Sequence, residues 1–220
     1  MGKITDTKPQ KKKTDRVNVF IDDQFAFGLS AALYFEKKLQ VGKIISEKQT
    51  QDLIKGDQVE RLLNKAFRFL SFRPRSEKET RDYLLRKGKL KEIKGEEEEN
   101  QYERSVEEVI SRLTKLKQLD DKAFASWWVD QRSKFRPRGQ KLLRAELLSK
   151  GIAKGLIENL LDSQKEKQTQ LASNAAAKKI KTYKRLDDEN LGIKLYQFLA
   201  RRGFDWGIIK KAVDTLLEKR

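Results

Sequence analysis

Apolar positions recur at helical spacing along most of this chain. Val59, Leu62, Leu63, Ala66 and Leu70 fall three and four apart, as do Phe124, Trp127 and Trp128, then Ile157, Leu160 and Leu161, then Ile209, Ala212 and Val213. The period changes near the start. Val17, Val19 and Ile21 alternate with Asn18 and Phe20, turn-forming Asp22-Asp23-Gln24 follows, and Phe25, Phe27 and Leu29 resume the alternation, which predicts a short β-hairpin. A lone hairpin is marginal in water, so it must pack on the helices that follow. Those helices should open near Ser30 and near Ser46, where Ser46-x-x-Gln49 is a capping signal.

Over this pattern lies an internal repeat. Arg73-Pro74-Arg75 precedes Leu84-Leu85-Arg86-Lys87-Gly88 by the same interval that separates Arg136-Pro137-Arg138 from Leu147-Leu148-Ser149-Lys150-Gly151. A third copy, Leu199-Ala200-Arg201-Arg202-Gly203, keeps the leucine, cation and glycine without the opening. Proline drives the preceding arginine out of the α region, so each copy opens on a helix break. Ser76 with Glu79 reads as a capping box, and the glycines sit where left-handed residues end helices. The apolar positions after Gly151 and Gly203 keep the same offsets, so a further amphipathic helix follows each stop. Another helix precedes each Arg-Pro-Arg.

The fold class that follows is mainly α, an elongated array of three tandem three-helix repeats behind a small N-terminal β-hairpin. Residues 1–15, polar and carrying five lysines, are expected to be a disordered basic arm, and 16–56 the hairpin with short helices. Repeats are expected over 57–118, 119–163 and 164–220. Gly88 and Gly151 are further apart than Gly151 and Gly203, which places an insertion at about 89–104 in the first repeat. Its Glu96 to Glu99 run reads as a solvated loop. Trp127 is expected in the core, Trp128 half-buried at a repeat junction and Trp206 in packing, after a helix cap at Asp205.

Charge sharpens the picture. The chain has 50 Lys and Arg against 33 Asp and Glu, a net charge of +17, which points to a polyanionic partner. The signs are segregated: Arg132 to Lys154 holds eight basic residues and one acidic, whereas Lys91 to Asp130 has an acidic excess. A surface that merely keeps a protein in solution intersperses its signs. There is no His and no Cys, so thiol catalysis, disulfides and ordinary zinc sites are excluded, and no Gly-rich phosphate loop appears. Asp120-Asp121 could in principle hold magnesium, but adjacent carboxylates before an apolar helix are far more often N-caps. No apolar run approaches the roughly 18 residues of a membrane span, and none follows Met1 as a signal core. The expected place is the cytoplasm.

At specific residues the chain resembles a known family, the RecX regulatory proteins of bacterial recombination. The resemblance lies in Arg73-Pro74-Arg75-Ser76-Glu77-Lys78-Glu79 with Leu84 to Gly88, in Leu119-Asp120-Asp121-Lys122-Ala123-Phe124-Ala125, and in Arg144 to Ile152. It runs from about Asn18 to the C-terminus. The acidic insertion and Trp127-Trp128 depart from the family pattern. The resemblance implies a non-enzymatic, cofactor-free regulator, monomeric and without a membrane, that engages the RecA recombinase filament on DNA and restrains its ATP-dependent strand exchange. The other reading is a stand-alone binder of single- or double-stranded DNA without sequence preference; no recognition helix for base edges is identifiable. An enzyme is remote. Under either leading reading the candidate contacts are Arg73, Arg75, Lys78, Arg81, Arg86, Lys87, Arg132, Arg136, Arg138, Lys141, Arg144 and Lys150, with the Arg-Pro-Arg cations as exposed loop donors.

Overall fold

The structure is a computed structural model that describes residues 1–11, 14–89, 95–183 and 187–218. It divides into two compact units, one made of 1–72 with 81–116 and the other of 73–80 with 117–220.

In the first unit, strand β1 (Gly2–Pro9), β2 (Arg16–Ile21), β3 (Gln24–Ser30) and the two-residue β4 (Ile44–Ile45) form an antiparallel sheet in the order β3-β2-β1-β4. The expected hairpin is β2-β3. Its turn places Asp22 and Asp23 at φ of 47° and 62°, the left-handed pair that a two-residue turn needs and that Asp tolerates. The N-terminal segment corrects the expectation of a disordered arm. Only Ile4 of β1 is fully buried, so its side chains carry almost no strand signal, but main-chain hydrogen bonds to both β2 and β4 hold it in place. Lys12 and Lys13 lie outside the described residues.

Ser30 caps α1 (Ala31–Glu36), and Ser46 and Gln49 form the expected capping box of α2 (Glu47–Leu70). Ile4, Val19, Phe27, Leu29, Leu33 and Leu53 make the sheet's core. Asp57 of α2 is clamped beneath the sheet. It takes Arg16 Nη1 at 3.0 Å and Nη2 at 2.8 Å, and the Ser30 amide at 2.9 Å. Helix α3 (Glu77–Lys89) contributes its later part to this unit, and α4 (Glu96–Lys115) packs on α2 with Tyr102, Val106, Val109, Ile110 and Leu113 buried.

Two expectations fail at α3 and α4. Glu96 to Glu99 are not a loop but the first turn of α4, where four carboxylates complement the positive end of the helix dipole and the apolar stripe beyond them drives the helix. Residues 90–94 of the expected insertion lie outside the described residues. Gly88 does not end α3 in a left-handed conformation; it is helical and buried. A Cβ there would stand 2.3 Å from Tyr102 Cε1, so its role is close approach to the Tyr102 ring, whose hydroxyl donates to the Leu84 carbonyl at 2.9 Å.

The second unit holds α5 (Asp121–Phe135), α6 (Gln140–Ser149) and α7 (Lys154–Asp162) around Phe124, Val129, Leu143, Leu147, Ile157 and Leu161. After them α8 (Lys167–Ile180), α9 (Asp188–Arg201) and α10 (Trp206–Leu217) surround Ala172, Ala176, Leu195, Leu199, Ile209 and Val213. Asp120 caps α5, accepting from the Lys122 and Ala123 amides, and Asp121 accepts from the Glu77 amide, so both carboxylates serve helix ends. Helices α6 and α9 close as expected. Gly151 (φ 83°) and Gly203 (φ 77°) are left-handed, and Ile152 and Phe204 reach back to the Leu147 and Leu199 carbonyls. Trp206 differs from its reading: it is 68% exposed, with one face on Tyr196.

Candidate partner-binding cations

The two parts of the repeated sequence meet one another across successive copies. Ser76, just after the first Arg-Pro-Arg, accepts from the Glu79 amide at 3.1 Å and donates its own hydroxyl to the Lys150 carbonyl at 2.7 Å. Gly139, just after the second Arg-Pro-Arg, donates its amide to the Arg202 carbonyl at 2.9 Å. The opening of each copy thus seats on the cation-glycine stop of the next. Both glycines of those stops are tightly faced: a Cβ on Gly151 or on Gly203 would lie 2.6 Å from the Cβ of Lys78 or of Leu142.

This junction organises the cations around two carboxylates. Glu79 takes Arg73 in a two-pronged contact, Nη1 to Oε2 at 3.0 Å and Nη2 to Oε1 at 2.9 Å, and also takes Lys150 Nζ at 2.5 Å. Burial pushes the Glu79 carboxyl upward, but the hydrogen bonds and charges of Arg73 and Lys150 outweigh it and hold the group at about 2. The capping box is therefore half formed, because the Glu79 side chain turns to these cations rather than back to the Ser76 amide. Arg75 is half-buried, and burial and then the neighbouring Arg73 charge lower its pKa.

The second carboxylate is Glu146. It pairs with Arg138, takes Arg132 Nε at 2.9 Å and accepts the Trp128 indole N–H at 2.8 Å. The Arg132 guanidinium lies 4.4 Å and the Lys150 ammonium 5.2 Å from the Trp128 ring centre, so Trp128 stands between the two carboxylate clusters. It is half-buried, as expected for a junction. Trp127 is half-buried too, packed on the core with Arg73 at 5.9 Å from its ring. Burial lowers the Arg138 pKa, with the charges of Arg132, Arg136 and Arg202 adding to it. Arg202 in turn donates to the Pro137 carbonyl at 3.0 Å.

The twelve cations singled out by sequence do not form one exposed set. Arg73 and Lys150 sit on Glu79, Arg132 and Arg138 on Glu146, Arg81 on Glu107 and Arg144 on Glu158. Lys78, Arg86, Lys87, Arg136 and Lys141 are exposed. This corrects the reading of Arg73, Arg75, Arg136 and Arg138 as exposed loop donors: only Arg136 is one, because Arg75 is half-buried and the proline turn folds Arg73 and Arg138 back on carboxylates six and eight residues on. Sequence reasoning met Glu79, Glu146 and Arg202 as parts of motifs but not as centres of ion pairs or hydrogen bonds. The signal for Glu146 was present, since it is the single acid in the basic run from Arg132 to Lys154. Among the described residues no cluster of carboxylates is placed to hold a metal ion, and no helix is long and apolar enough to cross a membrane.

Fold and junction together define a tandem three-helix-repeat protein with a small N-terminal sheet, in which the chain after each Arg-Pro-Arg seats on the following cation-glycine stop. The comparisons give that class a family. Four family models match in order: the regulatory protein RecX N-terminal domain over 2–46, and the first, second and third RecX three-helix domains over 63–92, 120–161 and 166–213. The chain is 33% identical over 214 residues to regulatory protein RecX of Bacillus subtilis (strain 168), covering 97% of this chain and 76% of that one. It is 31% identical over 220 residues to regulatory protein RecX of Clostridium botulinum (strain Eklund 17B / Type B), covering 99% and 97%. A crystal structure of regulatory protein RecX superposes with a TM-score of 0.66 at 25% identity over the whole of both chains, and that of RecX from Lactobacillus salivarius with 0.58 at 25% over 75% of this chain and 99% of that one. The chain belongs to the RecX family.

Proposed function

We propose that this protein binds the RecA filament assembled on DNA and inhibits its ATP hydrolysis and strand exchange, without catalysing a reaction of its own. The observation that carries this reading is the match of all four RecX domain models, in order, between residues 2 and 213, together with relatives named as regulatory proteins that align over nearly the whole chain. The net charge of +17 supports a nucleoprotein partner, and a chain without His or Cys has none of the usual nucleophile and base pairs. The protein acts as a cytoplasmic monomer, and exposed cations such as Arg86, Lys87, Arg136 and Lys141 meet the partner's negative charge.

The test is DNA-dependent ATP hydrolysis by the recombinase, followed over time as purified protein is added. Turnover should fall at or below one molecule per recombinase protomer. Unchanged turnover and strand exchange, with no filament binding, would overturn the reading in favour of a plain nucleic-acid binder.

A further inference from the structure

Most of the repeat's arginines face carboxylates of their own chain, and one group of lysines in the second unit stands apart from those pairs. A cavity of about 360 Å³ opens where α5 and α8 both end, and its polar lining is Ser133, Lys134, Asn174, Lys178 and Lys181. The remaining lining is apolar and includes Pro137, and among the described residues no carboxylate borders it. Asn174, Lys178 and Lys181 are spaced four and three apart, one stripe of α8, while Ala172, Ala175 and Ala176 on its other side are buried in the core. The sequence signal was silent here because the lysines come from two segments about forty residues apart and belong to no repeated motif.

The charge balance favours an anion. Among the described residues none of the three lysines forms an ion pair. Each helix C-terminus brings about half a negative charge, so the two ends offset roughly one of the three positive charges and leave about two. Arg202 donates to the carbonyl of Pro137, and exposed Arg136 immediately precedes that proline. By contrast, a cavity of about 590 Å³ in the first unit sets Lys37, Lys43 and Arg112 against Glu36, Asp52, Glu60 and Glu108, so its positive charge is matched.

We propose that this cavity binds the phosphodiester backbone of DNA. The lysine ammoniums act as point charges on phosphate oxygens, and Ser133 and Asn174 supply neutral hydrogen bonds at the same place. Such contacts hold a strand without reading its sequence. The proposal deepens the filament reading and rests on it for the source of the DNA, but it concerns a direct contact that the filament reading does not require.

The full chain is tested for binding to a fluorescein-labelled oligothymidylate by fluorescence anisotropy across a salt series. The variants are Lys134→Ala/Lys178→Ala/Lys181→Ala and a control that removes the same charge from the first unit, Lys11→Ala/Lys48→Ala/Lys115→Ala. All six lysines are exposed, and the helical circular dichroism signal verifies folding. The cavity variant should bind at least tenfold more weakly, with the slope of log affinity against log salt flattened by about two, at roughly 0.7 per lost contact on a single strand. The control should shift affinity less than about threefold. An unchanged slope, or an equal loss in the control, overturns the proposal. So does a cavity variant that keeps its DNA affinity while losing recombinase inhibition, which makes the cavity a dock for an acidic protein surface. Wild-type protein that inhibits the recombinase but ignores the oligonucleotide overturns the cavity site and leaves the filament reading. Wild-type protein that binds DNA through the cavity but leaves the recombinase untouched does the reverse.

Discussion

Gly139 lies so close to Gly203 that a Cβ built on it would fall 2.0 Å from the Gly203 carbonyl oxygen. That contact is main chain on main chain, so neither side can yield by rotating a side chain. Gly139→Ala should therefore cost about 3 kcal/mol in chemical unfolding. Gly155→Ala and Gly207→Ala, where none of the described residues lies within 4 Å of the added methyl, should instead be neutral or stabilise by about 0.5 kcal/mol. Equal effects at all three positions would deny the junction its rigidity.

Glu79 makes the same junction sensitive to acid. Its carboxyl titrates at about 2 in the fold against an ordinary 4.5, a depressed value, so the stability it contributes is fully present above 4.5 and is lost as pH falls through about 2. Glu79→Gln should cost about 2 kcal/mol at neutral pH, allowing for partial screening by solvent. The gap between variant and wild type should close between pH 4.5 and pH 2, measured by urea unfolding at each pH.

The Arg-Pro-Arg cations should separate by mutation. Arg138→Ala leaves Glu146 short of a partner and Arg73→Ala strips Glu79 of its two-pronged contact, so each should cost about 2 kcal/mol. Arg136→Ala, at an exposed position, should stay within about 0.5 kcal/mol of wild type. Thermal unfolding of the three single variants checks this directly. Loss of stability at Arg136 alone would invert the assignment.

In the first unit the clamp is Arg16 on Asp57, whose side chains are 11% and 5% exposed. Asp57→Ala leaves a buried guanidinium and the Ser30 amide unsatisfied, and should cost about 3 to 5 kcal/mol. Hydrogen exchange should show the loss in β2, β3 and α2 while protection of α9 and α10 is retained. Uniform loss through both units would mean that they unfold as one.

The helices, the Asp22-Asp23 hairpin, the Ser46 capping box and the stops at Gly151 and Gly203 were legible in the sequence because each rests on local physics: apolar period, φ preference and the orphan groups of helix ends. The family was legible for a related reason, since the repeated motifs recur at fixed spacing. What tertiary structure alone decided was where the charges go. An arginine reads the same whether it faces solvent or Glu79, and the choice depends on chain brought from more than seventy residues away, as when Lys150 joins Arg73 on that carboxylate. Strand β1 is the backbone version of that limit, held by neighbours' amides and carbonyls that leave no trace in its side chains. Gly88 is the steric version: its motif is that of a helix stop, but Tyr102 from α4 made it a place for a ring.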